Sequence, residues 1–286
     1  MPAISPRCMI RLTSTIGSVI EGVDLSLQLS SEEVTAIRQA VLERGVVFFR
    51  DQYLGSEQMH RFVSNFGTPV NYNYFGDPAD ESQVVVAAPD EIMTSNFTAP
   101  RRGTAVWHVD IGWHTKPPLF TALRAVETPA TGGDTCWADM EAAYDALSEP
   151  MKRMITGLTA INSMQPTFDR EPLLKQAMQA RGHAMAFETV HPVVAINSET
   201  GRRALFVNEC TTTRIVELTP VESTQVLTAL FMHIRSPEFQ VRWHWVPGDL
   251  ALWDNRSVQH YAVPDYDEDR IMQRIELAGV EPVAAT

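Results

Sequence analysis

The chain has 286 residues, of which 44% are hydrophobic and 20% are charged, a composition that excludes a disordered or fibrous protein. Its 23 basic and 35 acidic residues give a formal net charge of −12, which disfavours binding to nucleic acid or to anionic lipid. No segment has the roughly 18 consecutive apolar residues that a membrane span requires. We therefore expect no nucleic-acid partner and no membrane partner.

The first quarter of the chain alternates helix and strand signals. A capping box formed by Ser30 and Glu33, followed by apolar residues at helical spacing, predicts a helix over about 31–44 that ends at Gly45. The β-branched and aromatic run 46–49 predicts a short buried strand. A second amphipathic helix, beginning near Ser56 and closed by Gly67, is indicated by Met59, Phe62, Val63 and Phe66.

Between about 70 and 106 this alternation is lost. Only the apolar run Val84–Ala88 interrupts a stretch rich in Pro, Asp, Asn and Gly. Long irregular segments in compact domains are often functional. We therefore predict that 70–106 is a loop region that acts as an active-site lid.

The second half of the chain has one clear helix and several short strands. The helix begins at Thr219, with Pro220 in its first turn and Glu222 completing a second capping box. Strands are predicted over 118–126, 204–207, 239–246, 249–253 and 270–278. Short strands separated by turn residues favour a sandwich or barrel. Because no linker divides the chain, we expect residues 1–286 to form a single domain.

Cysteine usage indicates the cellular compartment. Cys8, Cys136 and Cys210 form no CxxC pair, so neither a disulfide framework nor a cysteine-based zinc site is indicated. The N-terminal MPAISPRCMIRL also lacks the apolar core of a signal peptide. We expect a cytoplasmic protein.

The strongest chemical signal is the segment Trp107-His108-Val109-Asp110. Side chains two residues apart on an extended strand point to the same face, so His108 and Asp110 can reach one metal ion. His260, far along the chain, supplies a second imidazole. Two histidines and one carboxylate form the facial triad of non-haem Fe(II) oxygenases, although catalytic zinc sites accept the same donors.

Several motifs, taken in order, resemble the taurine dioxygenase family of Fe(II)- and 2-oxoglutarate-dependent oxygenases. They are WHxD, the GGDT segment at 132–135, ALFVNE at 204–209, WDNRxxQHxAxxDY at 253–266 and RIMQR at 270–274. The segments GVDLS and VVFFRDQ near the N-terminus extend the resemblance over about residues 15–280. The resemblance implies an α+β, mainly β protein with a double-stranded β-helix, or jelly roll, surrounded by helices.

The resemblance also implies the cofactors and the residues that bind them. Fe(II) is expected on His108, Asp110 and His260, with 2-oxoglutarate and dioxygen as co-substrates. Thr135 and Arg270 are expected to hold the distal carboxylate of 2-oxoglutarate, and a guanidinium suits that task because it gives a carboxylate two parallel hydrogen bonds. Arg274 is expected nearer the metal and the substrate anion. Trp253 and Asn255 are candidates for shaping the iron site, although a buried strand explains them almost as well.

The expected reaction hydroxylates a C–H bond of a small organic substrate and releases succinate and CO2. Taurine-oxidising members have a histidine, an asparagine and a phenylalanine where this chain has Tyr72, Thr104 and Met164, whereas Phe206 is retained. We therefore predict that taurine is a poor substrate. The predicted pocket, lined by Tyr72, Phe75, Thr104, Met164 and Phe206, suits an alkyl sulfate, another sulfonate or a carboxylate.

Two other classes of function are compatible with the triad. A zinc-dependent lyase or hydrolase could use the same three ligands, but Arg270 and Thr135 would then have no task. A non-catalytic barrel that binds a small ligand is the other alternative. The resemblance further implies a homo-oligomer, as is common in the family.

Overall fold

The computed structural model describes residues 9–72, 84–97, 105–180 and 188–286. The strands are β1 (Met9–Arg11), β2 (Ser18–Ile20), β3 (Val46–Phe49), β4 (Pro69–Tyr72), β5 (Val84–Val86), β6 (Met93–Phe97), β7 (Phe120–Glu127), β8 (Thr135–Asp139), β9 (Thr159–Ser163), β10 (Glu188–Pro192), β11 (Val194–Ile196), β12 (Arg203–Leu205), β13 (Thr212–Ile215), β14 (Gln240–Trp243), β15 (Leu250–Asp254), β16 (Val258–Ala262), β17 (Arg270–Leu277) and β18 (Val283–Ala284). The helices are α1 (Ser31–Arg44), α2 (Ser56–Ser64), α3 (Met140–Asp145), α4 (Glu149–Ile155), α5 (Gln165–Arg170), α6 (Pro172–Ala180) and α7 (Pro220–Ile234). Single turns of 3₁₀ helix lie at Pro89–Glu91 and Pro237–Phe239.

The helices with strong capping signals form where the sequence predicts them. Ser30 caps α1 with a reciprocal capping box, and Gly45 ends that helix with a φ of 70°. Thr219 caps α7 in the same way. The second helix ends at Ser64, three residues before the predicted stop at Gly67. The short helices α3 to α6 were not predicted, because six to nine residues carry too little helical periodicity to be recognised.

The predicted loop region 70–106 contains more regular structure than its composition indicates. Two strands lie inside it, and β6 pairs antiparallel with β17 in a register that aligns Arg270 with Phe97 and Arg274 with Met93. Polar residues occupy the centre of Met93–Phe97 and Thr94 is its single β-branched residue, so its pairing with β17, more than its own propensity, makes it a strand. Residues 73–83 and 98–104 of the predicted lid lie outside the described residues.

A nine-stranded sheet forms the framework, in the order β1-β2-β3-β15-β7-β17-β4-β5, with β6 paired to β17. Its central strands are buried on both faces. In β3, Val47 and Phe49 pack with helices α1 and α2, whereas Val46 and Phe48 point to the opposite face. Because side chains alternate along a strand, this opposite face is free to carry the functional groups of the neighbouring strands.

That second face of the large sheet packs against the three-stranded sheet β14-β8-β16. Aromatic rings fill the space between them. Phe48 stacks on Trp243 with ring centroids 4.1 Å apart, and it meets Trp137 edge-on at 5.2 Å. Trp137 in turn contacts Trp253 at 5.7 Å. Two further three-stranded sheets, β10-β9-β13 and β12-β11-β18, complete the mixed α/β architecture of the described residues. Among those residues, no helix combines the length and the apolar character needed to cross a bilayer.

The aromatic layer predicts where the fold is most sensitive to substitution. Phe48 is fully buried, so Phe48→Ala should lower the free energy of unfolding by about 3–5 kcal/mol, through lost burial and a residual cavity. Met232 on α7 is 68% exposed, and Met232→Ala should change stability by less than about 0.5 kcal/mol. Urea unfolding monitored by tryptophan fluorescence measures both values. Equal losses in the two variants would contradict the packing described here.

Candidate active site

Two histidines that are distant in the sequence meet through a backbone pair. The amide of His108 donates to the carbonyl of His260 at 3.1 Å, and the amide of His260 donates to the carbonyl of His108 at 2.9 Å. His108 thereby extends the β14-β8-β16 sheet past β16 by one bridge. The two imidazole rings lie side by side, with centroids 4.3 Å apart.

Asp110 completes the group two residues after His108. One ligand atom from each of His108, Asp110 and His260 lies within 4.8 Å of the others. The Oδ1 atom of Asp110 is 3.6 Å from Nε2 of His260, and its Oδ2 atom accepts a hydrogen bond of 2.8 Å from the hydroxyl of Thr121. The predicted triad is therefore assembled in the structure, with all three donor groups facing one point.

The backbone around Asp110 is held by Asn255, which lies in the turn between β15 and β16. The amide of Asp110 donates to Oδ1 of Asn255 at 2.9 Å, and Nδ2 of Asn255 donates to the carbonyls of Asp110 and Pro118. Ile111 follows with a φ of 48°, a left-handed conformation that a β-branched residue rarely adopts. Such backbone strain persists only where surrounding contacts enforce it, and Asn255 supplies those contacts.

The environment keeps both imidazoles ready to bind a metal. Burial lowers the pKa of His108, and burial together with the neighbouring His108 lowers the pKa of His260 to about 3. Both rings are therefore neutral near pH 7. Nδ1 of His108 lies 2.9 Å from the carbonyl oxygen of Val106, so the ring donates there and leaves its Nε2 lone pair available.

Aromatic contacts orient the ring of His260. It lies nearly parallel to the indole of Trp137 at 6.3 Å and packs against Trp253 at 4.8 Å. Its Nδ1 atom is buried and has no hydrogen-bond partner among the described residues. Packing against these two indoles thus fixes the orientation of the His260 ring, as the hydrogen bond to the Val106 carbonyl fixes that of the His108 ring.

The carboxylate of Asp110 is ionised. Burial alone would raise the pKa of Asp110, but the facing imidazole of His260 and the guanidinium of Arg274 outweigh that effect and hold the pKa below its usual value. Nη1 of Arg274 lies 3.0 Å from Oδ1 of Asp110, and its Nη2 lies 3.3 Å from Oε1 of Glu276. Arg274 is therefore shared between two buried carboxylates, which the sequence did not predict.

Arg270 is a buried cation of a different kind. It is only 3% exposed, and burial lowers the pKa of its guanidinium. Its Nε donates to the carbonyl of Gly133 at 2.8 Å, and its Nη2 donates to the hydroxyl of Thr135 at 3.3 Å. No carboxylate among the described residues pairs with Arg270. A buried guanidinium without a counter-charge is costly, so this arrangement fits an anionic ligand.

The triad, Arg270, Thr135 and Arg274 all line one cavity of about 350 Å³. Its lining also includes Leu123, Trp253, Ala262, Val263, Pro264, Tyr266 and Met272. We call the part of the lining formed by Ala105, Ile111, Trp113, Met164, Thr167, Cys210 and Thr211 the substrate end, after the role that we propose for it. The substrate end is mostly apolar, and Asp110 is the only carboxylate among the cavity's described lining residues.

The five residues predicted to form the substrate pocket are placed differently. Met164 lines the cavity at the N-terminus of α5. Tyr72 packs behind it, with its hydroxyl donating to the carbonyl of Lys116 and accepting from the amide of Gly279. Phe206 packs behind Val109 and lines a separate small cavity. Phe75 and Thr104 lie outside the described residues.

Sequence reasoning missed several residues that the structure brings to the site. Thr121 reaches Asp110 from β7, and Thr167 and Cys210 line the substrate end from α5 and from the turn before β13. None of them belongs to a motif with chemical meaning. Of these positions, that of Thr121 could have been predicted from the alternation of side chains along β7. Its neighbours Phe120 and Ala122 face the helices, so Thr121 faces the opposite side.

The mixed α/β fold, the facial triad and the adjoining buried cation define a mononuclear non-haem metal enzyme. Residues 10–275 match the model of the taurine catabolism dioxygenase TauD, TfdA family, so the chain belongs to this family. It is an α-ketoglutarate-dependent dioxygenase that uses Fe(II), 2-oxoglutarate and dioxygen. The oxygenase prediction is thereby confirmed, and the zinc enzyme and the non-catalytic barrel have no support.

Three known proteins show how the chain relates to this family. It is 36% identical to an alkylsulfatase of Acinetobacter baylyi, over 94% of this chain and 84% of that protein. It is 34% identical to an α-ketoglutarate-dependent sulfate ester dioxygenase of Pseudomonas putida, over 94% and 88%. The crystal structure of a taurine dioxygenase from Burkholderia xenovorans is 34% identical, with a TM-score of 0.80 over 99% and 92% of the two chains.

The hydrogen bonds of Asn255 predict its effect on metal binding. Asn255→Ala should weaken Fe(II) binding by about 10–100-fold, because the Asp110 backbone loses the two hydrogen bonds that set its carboxylate, and the bond that ties Asn255 to the Pro118 carbonyl is lost as well. Anaerobic calorimetric titration with Fe(II) measures this change. Asn71→Ala is the matched control, since that amide makes one long bond of 3.5 Å to the Glu91 carbonyl. Unchanged affinity in a folded Asn255→Ala protein would refute this role.

Proposed function

We propose that this dioxygenase oxidises alkyl sulfate esters and alkanesulfonates at the carbon nearest the triad. The observation that carries this proposal is a mostly apolar substrate end that adjoins the triad and contains no carboxylate other than Asp110 among its described residues. An alkyl chain fits the apolar walls, and an anionic head group meets little repulsion there. The similarity to an alkylsulfatase and to a sulfate ester dioxygenase supports the same substrate class.

In the proposed mechanism, His108, Asp110 and His260 hold Fe(II), and Arg270 and Thr135 bind the distal carboxylate of 2-oxoglutarate. When bound, iron and co-substrate supply the oxygen-activating chemistry, in which 2-oxoglutarate is oxidised to succinate and CO2 and one oxygen atom reaches the substrate. Thr135 accepts a hydrogen bond of 2.9 Å from Trp245, so its proton is available to the carboxylate. The chain thus contributes positioning, charge compensation and exclusion of water.

Hydroxylation at the carbon that bears a sulfate ester leads to cleavage. The product, R–CH(OH)–O–SO3⁻, loses the C–O bond to sulfate while its hydroxyl proton is released. An aldehyde and inorganic sulfate are formed, together with succinate and CO2 from the co-substrate. A sulfonate hydroxylated at the carbon next to sulfur gives R–CH(OH)–SO3⁻, whose C–S bond breaks while the hydroxyl proton is released, so that an aldehyde and sulfite are formed.

Taurine is proposed to be a poor substrate. Its ammonium group would have to enter walls formed by Ile111, Trp113 and Met164, which offer it no carboxylate. The hydroxyl of Tyr72 is already engaged with two backbone groups and is buried behind that wall. Arg274 remains a candidate to contact the substrate anion from the metal side.

We further propose that the chain forms a single domain with a double-stranded β-helix core. The face-to-face packing of the large sheet on β14-β8-β16 supports this proposal. Met93, whose sulfur lies 3.4 Å from Nη2 of Arg274, and Ala105, which lines the cavity, support a covering role for the segment 70–106. We also propose a cytoplasmic homo-oligomer, which size-exclusion chromatography with light scattering would test for its oligomeric part.

The role of Arg270 is testable by direct binding. Arg270→Gln should raise the Kd for 2-oxoglutarate at least about thirtyfold, because the buried distal carboxylate would lose the guanidinium that compensates its charge. Anaerobic titration of the metal-loaded protein with 2-oxoglutarate gives this constant. Arg214→Gln, on the exposed side of β13, is the control for loss of one positive charge and should leave the Kd unchanged. An unaltered Kd in Arg270→Gln would refute the assignment.

The substrate class is tested by succinate release with a matched panel. Hexyl sulfate, hexanesulfonate, hexanoate and taurine are each incubated with enzyme, Fe(II), 2-oxoglutarate and oxygen. We expect hexyl sulfate to release succinate and sulfate in equal amounts, with kcat/KM at least about tenfold above that of taurine, since the alkyl chain buries several methylene groups. A preference for taurine or for hexanoate would overturn the proposal.

A further inference from the structure

Asp265 binds the turn that carries an acceptor for Arg270. The GGDT segment begins with Gly132 and Gly133, and both have positive φ values, of 77° and 68°. The amide of Gly133 donates to Oδ1 of Asp265 at 2.9 Å, and the carbonyl of Gly133 accepts from Nε of Arg270 at 2.8 Å. Gly133 therefore connects Asp265 on its amide side to Arg270 on its carbonyl side.

The fit between this turn and Asp265 is close. A Cβ atom on Gly132 would lie 2.3 Å from the backbone oxygen of Asp265. A Cβ atom on Gly133 would lie 2.9 Å from Cγ of Pro129 and 3.2 Å from Cδ of Arg270. Glycine also loses more conformational freedom on folding than any other residue. Two adjacent glycines therefore need outside contacts to keep one conformation, and Asp265 supplies such a contact.

Arg242 on β14 connects Asp265 to the next residue of the turn, Asp134. Its Nη2 donates to Oδ2 of Asp265 at 3.0 Å, and its Nε donates to Oδ2 of Asp134 at 2.6 Å. Nδ1 of His244 lies 2.9 Å from the other carboxylate oxygen of Asp134. A planar guanidinium has donors in a fixed fork, which allows one side chain to bridge two carboxylates. We call Asp134, Arg242 and Asp265 the clasp.

The clasp lies outside the cavity, because none of its three residues belongs to the lining described above. The side chains of Arg242 and Asp265 are 53% and 43% exposed, and ion pairs at such positions contribute little to folding stability. Asp134 and Asp265 nevertheless belong to the GGDT and WDNRxxQHxAxxDY motifs, in which neither the triad nor the expected co-substrate contacts use them. Their contacts place them one step behind Arg270.

We propose that Asp265 and Arg242 are positioning residues for 2-oxoglutarate. They hold the carbonyl of Gly133 where it fixes the guanidinium of Arg270. A guanidinium that is oriented before the ligand arrives loses less freedom on binding, so the distal carboxylate is bound more tightly. This inference rests on the proposed function, which assigns that carboxylate to Arg270 and Thr135.

The test compares two 2-oxo acids of equal chain length that differ at the far end. 2-Oxoglutarate ends in a carboxylate and 2-oxopentanoate ends in a methyl group, so both offer the same keto acid to the metal and only the first needs Arg270. Dissociation constants are measured by anaerobic titration of the Fe(II)-loaded protein. The variants are Asp265→Ala, Asp265→Asn and Arg242→Gln. Asp267→Ala, which removes an exposed carboxylate close by in the chain, is the control.

Asp265→Ala should raise the Kd for 2-oxoglutarate about tenfold, because the Gly133 amide loses its acceptor, and leave the Kd for 2-oxopentanoate within about twofold. Asp265→Asn keeps the Oδ1 acceptor and should restore most of the affinity. Arg242→Gln should raise the Kd for 2-oxoglutarate about threefold to fivefold, while its Tm changes by less than about 3 °C. Asp267→Ala should leave both constants unchanged.

Equal weakening of both 2-oxo acids in Asp265→Ala and Arg242→Gln would overturn the positioning role, as would an unchanged affinity for 2-oxoglutarate in these variants. Arg242→Gln alone decides the test if Asp265→Ala fails to fold, because the Arg242 side chain lies at the surface.

The variant Arg270→Gln separates this inference from the proposed function. If Arg270→Gln leaves the Kd for 2-oxoglutarate unchanged, the proposed co-substrate site is wrong and the positioning role is wrong with it. If Arg270→Gln raises that Kd and the variants of Asp265 and Arg242 do not, the positioning role alone is wrong and the co-substrate site stands.

Discussion

The site depends on one backbone interaction, the reciprocal pair of hydrogen bonds between His108 and His260. This bridge fixes two imidazoles side by side without help from either ring. Asp110, two residues further, then faces the same point because an extended segment repeats its side-chain direction every second residue. Loss of the bridge would separate His260 from His108 and Asp110, to which no local sequence feature connects it.

A balance of buried charges surrounds this bridge. Asp110 and Glu276 share Arg274, whereas Arg270 donates to one carbonyl and one hydroxyl and pairs with no carboxylate in the part of the chain that the structure describes. The difference matters because a paired cation attracts a further anion weakly and an unpaired buried cation attracts it strongly. Two arginines four residues apart on one face of β17 therefore have different surroundings: Arg274 steadies Asp110, and Arg270 keeps a buried charge that suits an anionic ligand.

Two separate sets of contacts hold the metal ligands in place. The aromatic layer of Phe48, Trp137 and Trp253 joins the two facing sheets and also packs against the ring of His260. Asn255 clamps the strained backbone at Asp110 and Ile111. Such support keeps metal ligands oriented before the metal arrives, which lowers the reorganisation that binding requires.

The sequence alone determined the family, the triad and the helices with capping boxes, because these depend on short motifs and local hydrogen bonds such as that between Ser30 and Glu33. It could not assign β6, whose pairing with β17 overrides its polar composition, or place Tyr72 and Phe206 one layer behind the cavity wall. Nor could it relate Arg274 to Glu276. The tertiary structure decided these points. The register between strands and the packing of α5 determine which side chains meet, and such contacts produce no regular residue spacing that could be recognised in the sequence.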